Sequence, residues 1–365
     1  MNIPSHLERY SPDLDTPHKG EKQTADAIAK TMIEIADKTF ADGGHALRSV
    51  HAKSHGILKG TFEVLPGLPS ALAQGLLAKP ATYPTVMRFS TIPGDLLDDS
   101  ISTPRGLAFK IIGVEGRRLE GSEEQSNQDF VLVNGPTFNA PNAKAFHRSL
   151  KLQAPTTDRI PEVKTAVSAV MRNVEKTLEV FGGRSELAKA LGGEPPIHIL
   201  GETYYSQLPL RYGDYIAKVQ LAPVSADLTS LAGQAVDISR PDVLRELVVD
   251  HFLRNTSVWE FRVQLCSDLE SMPIDDPTKR WDEGQSPFIA VARLTVEPQP
   301  AWSASRSEAV DDGMSFSPWH GIEEHRPLGE LMRIRKQVYD RSQRFRSERN
   351  RCPVREPKTV ERLDA

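Results

Sequence analysis

Residues 84–92, "PTVMRFSTI", decide how the rest of the chain is read. On a strand, Val86, Arg88 and Ser90 share one face, and Met87, Phe89 and Thr91 share the other. An arginine on the same face as Val86 needs a carboxylate or another anion if that face is buried. An ordinary salt bridge meets the need. So does a bound carboxylate group, because the guanidinium fork matches its geometry.

The same texture extends outward. "GTFEVL" (60–65), "RGLAFKII" (105–112) and "QDFVLV" (128–133) are short, β-rich and bounded by turn residues. "DYIAKVQLAPV" (214–224), "SVWEFRVQLCS" (257–267) and "PFIAVARLTV" (287–296) alternate in the manner of half-buried strands. Helical spacing appears at 24–40 (Ile28, Met32, Ile35, Phe40), at 160–181 (Val163, Val167, Val170, Val174, Leu178, Phe181) and in "RPDVLRELVVDHFLRN" at 240–255. A last helix is expected from Leu328 to about Arg349, on Leu331, Ile334, Val338 and Phe345. Strands and helices do not alternate one for one, so the expected class is α+β, around an antiparallel sheet or barrel. The expected division is an N-terminal arm and helix (1–44), a main domain (45–350) and a C-terminal tail (351–365).

Composition narrows the function. The chain has 365 residues, a 39% hydrophobic share and a 26% charged share, as in a soluble globular protein. A net charge of −4 offers no overall basic field for nucleic acid. Cys266 and Cys352 are the only cysteines and form no CxxC pair, so neither a disulfide framework nor a thiolate zinc site is indicated. There is no run of 18 apolar residues, and the N-terminus lacks a signal-like apolar core, so a cytoplasmic location without a membrane span is expected. Phosphate-loop, dinucleotide-loop, HExxH and GxSxG motifs are absent.

Two stretches carry candidate chemistry. In "RSVHAKSHG" (48–56), His51 and His55 stand four apart, but Gly56 and β-like sequence follow at once, which argues against a helical metal chelate. His51 by itself reads either as a hydrogen-bonded structural histidine or as a catalyst. In "RIRKQVYDRSQRFRSERNR" (333–351), Arg335, Tyr339 and Arg346 fall on one helical stripe. Positive neighbours favour a phenolate over a phenol. The same pattern also suits a solvated basic face with a snorkelling tyrosine.

"RSVHAKSHG", "VMRFSTIPGD", "TPRGLAFKI", "QDFVLVNGPTF", "SFSPWHGIEEHRPLGEL" and "RIRKQVYDRSQRFR" together resemble the haem-dependent catalase superfamily, and most closely its short branch, the catalase-related peroxidases. The resemblance covers roughly residues 45–350. It implies a catalase-like antiparallel β-barrel with surrounding helices and haem b (iron) buried between the barrel and the C-terminal helix. It implies His51 as the distal histidine, Asn134 as the distal asparagine (Asn127 in reserve), and Tyr339 as the tyrosinate bound to iron. Arg335 is then the arginine beside that phenolate, and Arg48, Arg88 and Arg346 hold the propionates. Ser90 supports His51, and Phe146 is an aromatic side chain on the distal side. The implied activity is decomposition of hydrogen peroxide or reduction of organic hydroperoxides through an oxo-ferryl haem, with a small reductant as a further partner. A fatty-acid hydroperoxide isomerase or dehydratase resembling allene oxide synthase, and a non-catalytic haem-binding protein, are the alternatives. A homodimer is expected.

Overall fold

The computed structural model describes residues 2–153 and 193–364. The helix expected over 160–181 lies outside the described residues. The strands are β1 (Ser54–Val64), β2 (Thr82–Thr91), β3 (Arg105–Ile112), β4 (Asn127–Val133), β5 (Tyr204–Tyr205), β6 (Leu210–Tyr212), β7 (Tyr215–Pro223), β8 (Ser257–Leu265) and β9 (Ile289–Val296). The longer helices are α1 (Glu21–Gly43), α2 (Ala143–Gln153), α3 (Val243–Phe252) and α4 (Glu330–Arg349).

Every strand pairing is antiparallel, in the order β5-β4-β3-β2-β1-β9-β8-β7-β6. The short β5 also pairs with β7, through Tyr204 to Leu221 and Tyr205 to Gln220. That pairing joins eight strands into a closed barrel and leaves β6 as a flap on β7. Closure removes the free edges that an open sheet would expose.

Alternation sorts the side chains as expected from "PTVMRFSTI". Met87 and Phe89 point into the barrel with Leu58, Leu107, Phe109, Phe130 and Leu294. Phe62, Phe109, Phe130 and Phe261 stack or meet edge-on at centroid distances of 4.8–6.3 Å and plug the interior. Val86 faces the other way, onto Val310, Met314 and Phe316. Arg88 and Ser90 share that outer face and are nevertheless buried, so something must cover it.

Part of the cover is a helical layer. Ile28 and Met32 of α1, Leu150 of α2, and Leu331, Ile334 and Val338 of α4 form one apolar cluster. Ion pairs fasten α4 to the N-terminal segment: Arg333 grips Glu21 with two bonds of 2.8 Å and also pairs with Asp15, and Arg341 meets Asp26 at 2.6 Å. α3 lies over β1, where a Cβ on Gly56 would come within 2.6 Å of Val248 Cγ1; only glycine permits that approach.

The last residues also reach the barrel. Lys110 on β3 is fully buried and pairs with both carboxylate oxygens of Asp129 (2.6 and 2.7 Å) and with Glu356 (2.5 Å). His320 Nδ1 lies 3.1 Å from Asp129. Burial works to raise the Glu356 carboxyl, but Lys110 and His320 outweigh it and hold the group down at about 2. These are the acidic and histidine side chains gathered within 4.8 Å of one another, and the Lys110 ammonium already pairs with both acids of the group. Among the described residues, no helix is long and apolar enough to cross a membrane.

Candidate active site

Between the outer face of β2–β4 and the helical layer lies a cavity of about 280 Å³. All nine residues singled out from the sequence line it. Arg48 and His51 come from the loop before β1, Arg88 and Ser90 from β2, and Asn134 from just past β4. Phe146 comes from α2, and Arg335, Tyr339 and Arg346 from one stripe of α4. Asn127, the reserve asparagine, starts β4 opposite Ile112 and does not line the cavity. His55 is buried in β1 with Nε2 3.2 Å from Thr91 Oγ1, a bond that ties β1 to β2 and takes no part in the site.

His51 is held in a restricted pose. Its backbone is left-handed (φ 56°), and its amide donates to Ile92 O at 2.7 Å. Its Nδ1 lies 3.1 Å from Ser90 Oγ, and that hydroxyl lies 3.5 Å from Gly106 O. With Ser90 donating to Gly106, it accepts from Nδ1–H, which leaves the Nε2 lone pair to act as a base. Burial first, then the charges of Arg88, Arg335 and Arg48, push the imidazole down to about 3. The ring is therefore neutral at physiological pH.

Gly106 makes room for that ring: a Cβ there would lie 2.4 Å from His51 Cε1 and 2.5 Å from Nδ1. Gly106→Ala is expected to displace the imidazole and to lower stability by about 1–3 kcal/mol. Thermal unfolding, together with the His51 ring resonance, checks this; an unmoved resonance rejects the close fit of Gly106 to the ring.

The arginines form the second part of the site. Arg88 Nε donates to Asp311 Oδ1 at 2.6 Å and its Nη2 to Ala52 O at 3.0 Å. Arg48 Nη2 donates to Val310 O (2.8 Å) and Met314 O (3.0 Å), with its Nε 3.9 Å from Asp311. Arg346 bonds the Asp311 and Met314 carbonyls. Two guanidiniums thus meet the Asp311 carboxylate, and the third, Arg346, meets the Asp311 backbone carbonyl. Burial and mutual repulsion drive Arg48 well below the usual arginine range, and burial brings Arg346 down to about 10 against the pull of Asp311 and Asp312. Arg48 Nε and Arg346 Nε are buried without a hydrogen-bond acceptor. Orphaned, like-charged donors on a cavity wall call for an anion.

On α4, among the described residues no hydrogen bond reaches the Tyr339 hydroxyl. One turn earlier, the Arg335 guanidinium lies 5.6 Å from the Phe138 ring centroid and 3.8 Å from Met332 Sδ, with no carboxylate partner among the described residues.

Asn134 lines the cavity, but its amide is engaged. Nδ2 donates to Glu194 Oε1 (2.9 Å) and Glu202 Oε1 (2.7 Å), and Oδ1 accepts from the Arg105 amide (3.0 Å). Glu194 and Gln207 also line the cavity, and neither was singled out from the sequence. Gln207 is left-handed (φ 59°) and donates to Gly135 O and Thr137 O at 3.1 and 2.6 Å, which braces the loop carrying Asn134 and Phe138. Of the three left-handed non-glycine residues among the described residues, His51 and Gln207 both line this cavity. Backbone strain of this kind concentrates at functional sites.

The barrel, the helical layer and the cavity between them define the catalase-like fold, and solved structures agree. Catalase A from Saccharomyces cerevisiae matches with a TM-score of 0.59 and 18% identity, over 95% of this chain and 68% of that chain. A fungal catalase matches at 0.59 and 18%, over 97% and 70%. A bacterial catalase matches at 0.56 and 17%, over 97% and 67%. No protein-family profile matches the chain, and no curated protein matches it in sequence.

The residues present fit a haem. The cavity walls are largely apolar, with Ile28, Met32, Val131 and Phe316 among them. The unmet donors of Arg48 and Arg346 suit propionates, and the Tyr339 hydroxyl, without a hydrogen-bond partner among the described residues, suits a ligand to iron.

Proposed function

We propose that this protein is a haem-dependent peroxide-processing oxidoreductase of the short, catalase-related peroxidase type, acting on hydrogen peroxide and small organic hydroperoxides. The observation that carries the proposal is a single cavity lined by a neutral imidazole, an arginine cluster with unmet buried donors and a tyrosine whose hydroxyl has no hydrogen-bond partner among the described residues. Arg48, Arg88 and Arg346 would hold the propionates, and Tyr339 would bind the iron with Arg335 sharing the phenolate charge. Bound haem would supply the two-electron chemistry that breaks the peroxide O–O bond.

The chain's own residues position substrate and move the proton. His51 Nε2 takes the proton from one peroxide oxygen and returns it to the leaving oxygen, as general base and then general acid. Ser90 keeps the ring in the tautomer that this requires. Asn134 contributes by fixing the wall around Glu194 and Arg105, since its own amide hydrogens are committed.

Expression with added haem tests the reading. A Soret band that copurifies with the protein, and peroxide consumption that depends on it, are expected. A colourless protein after haem supplementation rejects the proposal.

A further inference from the structure

A histidine with φ 56° lies in a region that is strained for a residue other than glycine, so its surroundings must impose it. On one side, the His51 and Ala52 amides donate to Ile92 O (2.7 Å) and Pro93 O (3.0 Å). On the other, the Ala52 carbonyl accepts from Arg88 Nη2 at 3.0 Å. The same guanidinium donates through Nε to Asp311 Oδ1 at 2.6 Å. Asp311 is fixed in turn by two hydroxyls on its other oxygen, Ser54 Oγ and Ser307 Oγ, each at 2.7 Å. It belongs to a π-helical turn at Glu308–Asp312, remote in sequence from everything it holds. Burial works to raise its carboxyl, but Arg88 and Arg48 with the two hydroxyls keep it below the usual range, so it stays an anion.

We propose that Asp311 is a positioning residue for His51. Through Arg88 it fixes the backbone that presents the imidazole. It does so from inside the arginine cluster, so the anion site and the proton-transfer site share one strut. This rests on the function proposed above. It goes beyond that reading by giving Arg88 a second task besides anion binding, and by placing a residue outside the motifs in control of the base.

The test uses haem-supplemented full-length protein and the Asp311→Asn variant, with ¹⁵N-histidine labelling. Asparagine keeps the size but loses the charge and half of the acceptor capacity. The expected result is a retained Soret band, an unchanged KM for peroxide, a kcat lower by about tenfold or more, and a moved His51 ring resonance. If Asp311→Asn does not fold, the double variant Ser54→Ala, Ser307→Ala leaves the carboxylate but frees it; a smaller loss in the same direction is expected. Wild-type kcat and a wild-type His51 resonance in a folded variant overturn the proposal, even if Tm falls. A wild-type protein without a Soret band rejects the functional reading instead. The resonance in the unloaded protein then decides this inference: it moves if Asp311 positions the ring and stays if it does not.

Discussion

Replacing His51 with alanine is expected to slow peroxide consumption by about 10²–10⁴-fold while the Soret band is retained. The imidazole lines the cavity in a neutral state next to the arginine cluster, and it is not assigned to a propionate. Its pH behaviour gives a second readout. The folded pKa is about 3, against an ordinary histidine value near 6.5. Between these values the unfolded chain binds a proton that the folded chain refuses, so His51's contribution to stability is fully present above about pH 6.5 and is lost as pH falls toward 3. His51→Ala is therefore expected to lose less stability on acidification than the unaltered protein. An anion seated on Arg48 and Arg88 screens their repulsion of the imidazolium and raises the His51 pKa. The acid limb of the peroxide rate in haem-loaded protein should then lie above pH 3 and vanish in the variant. Stopped-flow rates across pH check this, and an unchanged rate at neutral pH removes His51 from the mechanism.

Tyr339→Phe is expected to be the other severe substitution. It leaves the apolar packing of α4 almost untouched, because Leu331, Ile334 and Val338 carry that face. It removes only the hydroxyl proposed to bind the iron and leaves Arg335 against Phe138 and Met332. Changes around metal ligands typically cost about 10–100-fold in metal affinity, and loss of the ligand itself should cost at least about 100-fold. Haem transfer to a scavenger globin, with the visible spectrum before transfer, measures it. A variant that keeps both its spectrum and its haem would reject the axial role.

Much of the barrel could be read in advance because its strands alternate. "PTVMRFSTI" put Arg88 and Ser90 on one face and Met87 and Phe89 on the other, and the structure keeps that division. The two-residue β5 carries no periodicity, yet its pairing with β7 closes the ring. That the nine residues share one cavity was legible for a different reason. Each stands in a short stretch whose resemblance to a known family is local, so position could be matched without knowing distance. What sequence did not disclose depends on contacts between remote segments. Nothing in "AVDDGM" marks Asp311 as the hub of three arginines, nothing in "SQLPL" announces a left-handed Gln207, and Gly106 looks like any strand glycine until the His51 ring is placed against it. The tie from Asn134 to Glu194 and Glu202 likewise joins residues at least 60 positions apart.

The burial of Lys110 between Asp129 and Glu356 sets an order on synthesis. β3 and β4 leave the ribosome early and can pair at once, with one carboxylate for one ammonium. The second carboxylate arrives only with Glu356, which is synthesised after all the barrel strands, and Ser315 Oγ, 2.7 Å from Glu356 Oε1, receives it beside Phe316 on the cavity wall. The sheet can therefore pair around Lys110 with one counter-charge, and the wall beside it takes its final contact from a later segment of the chain.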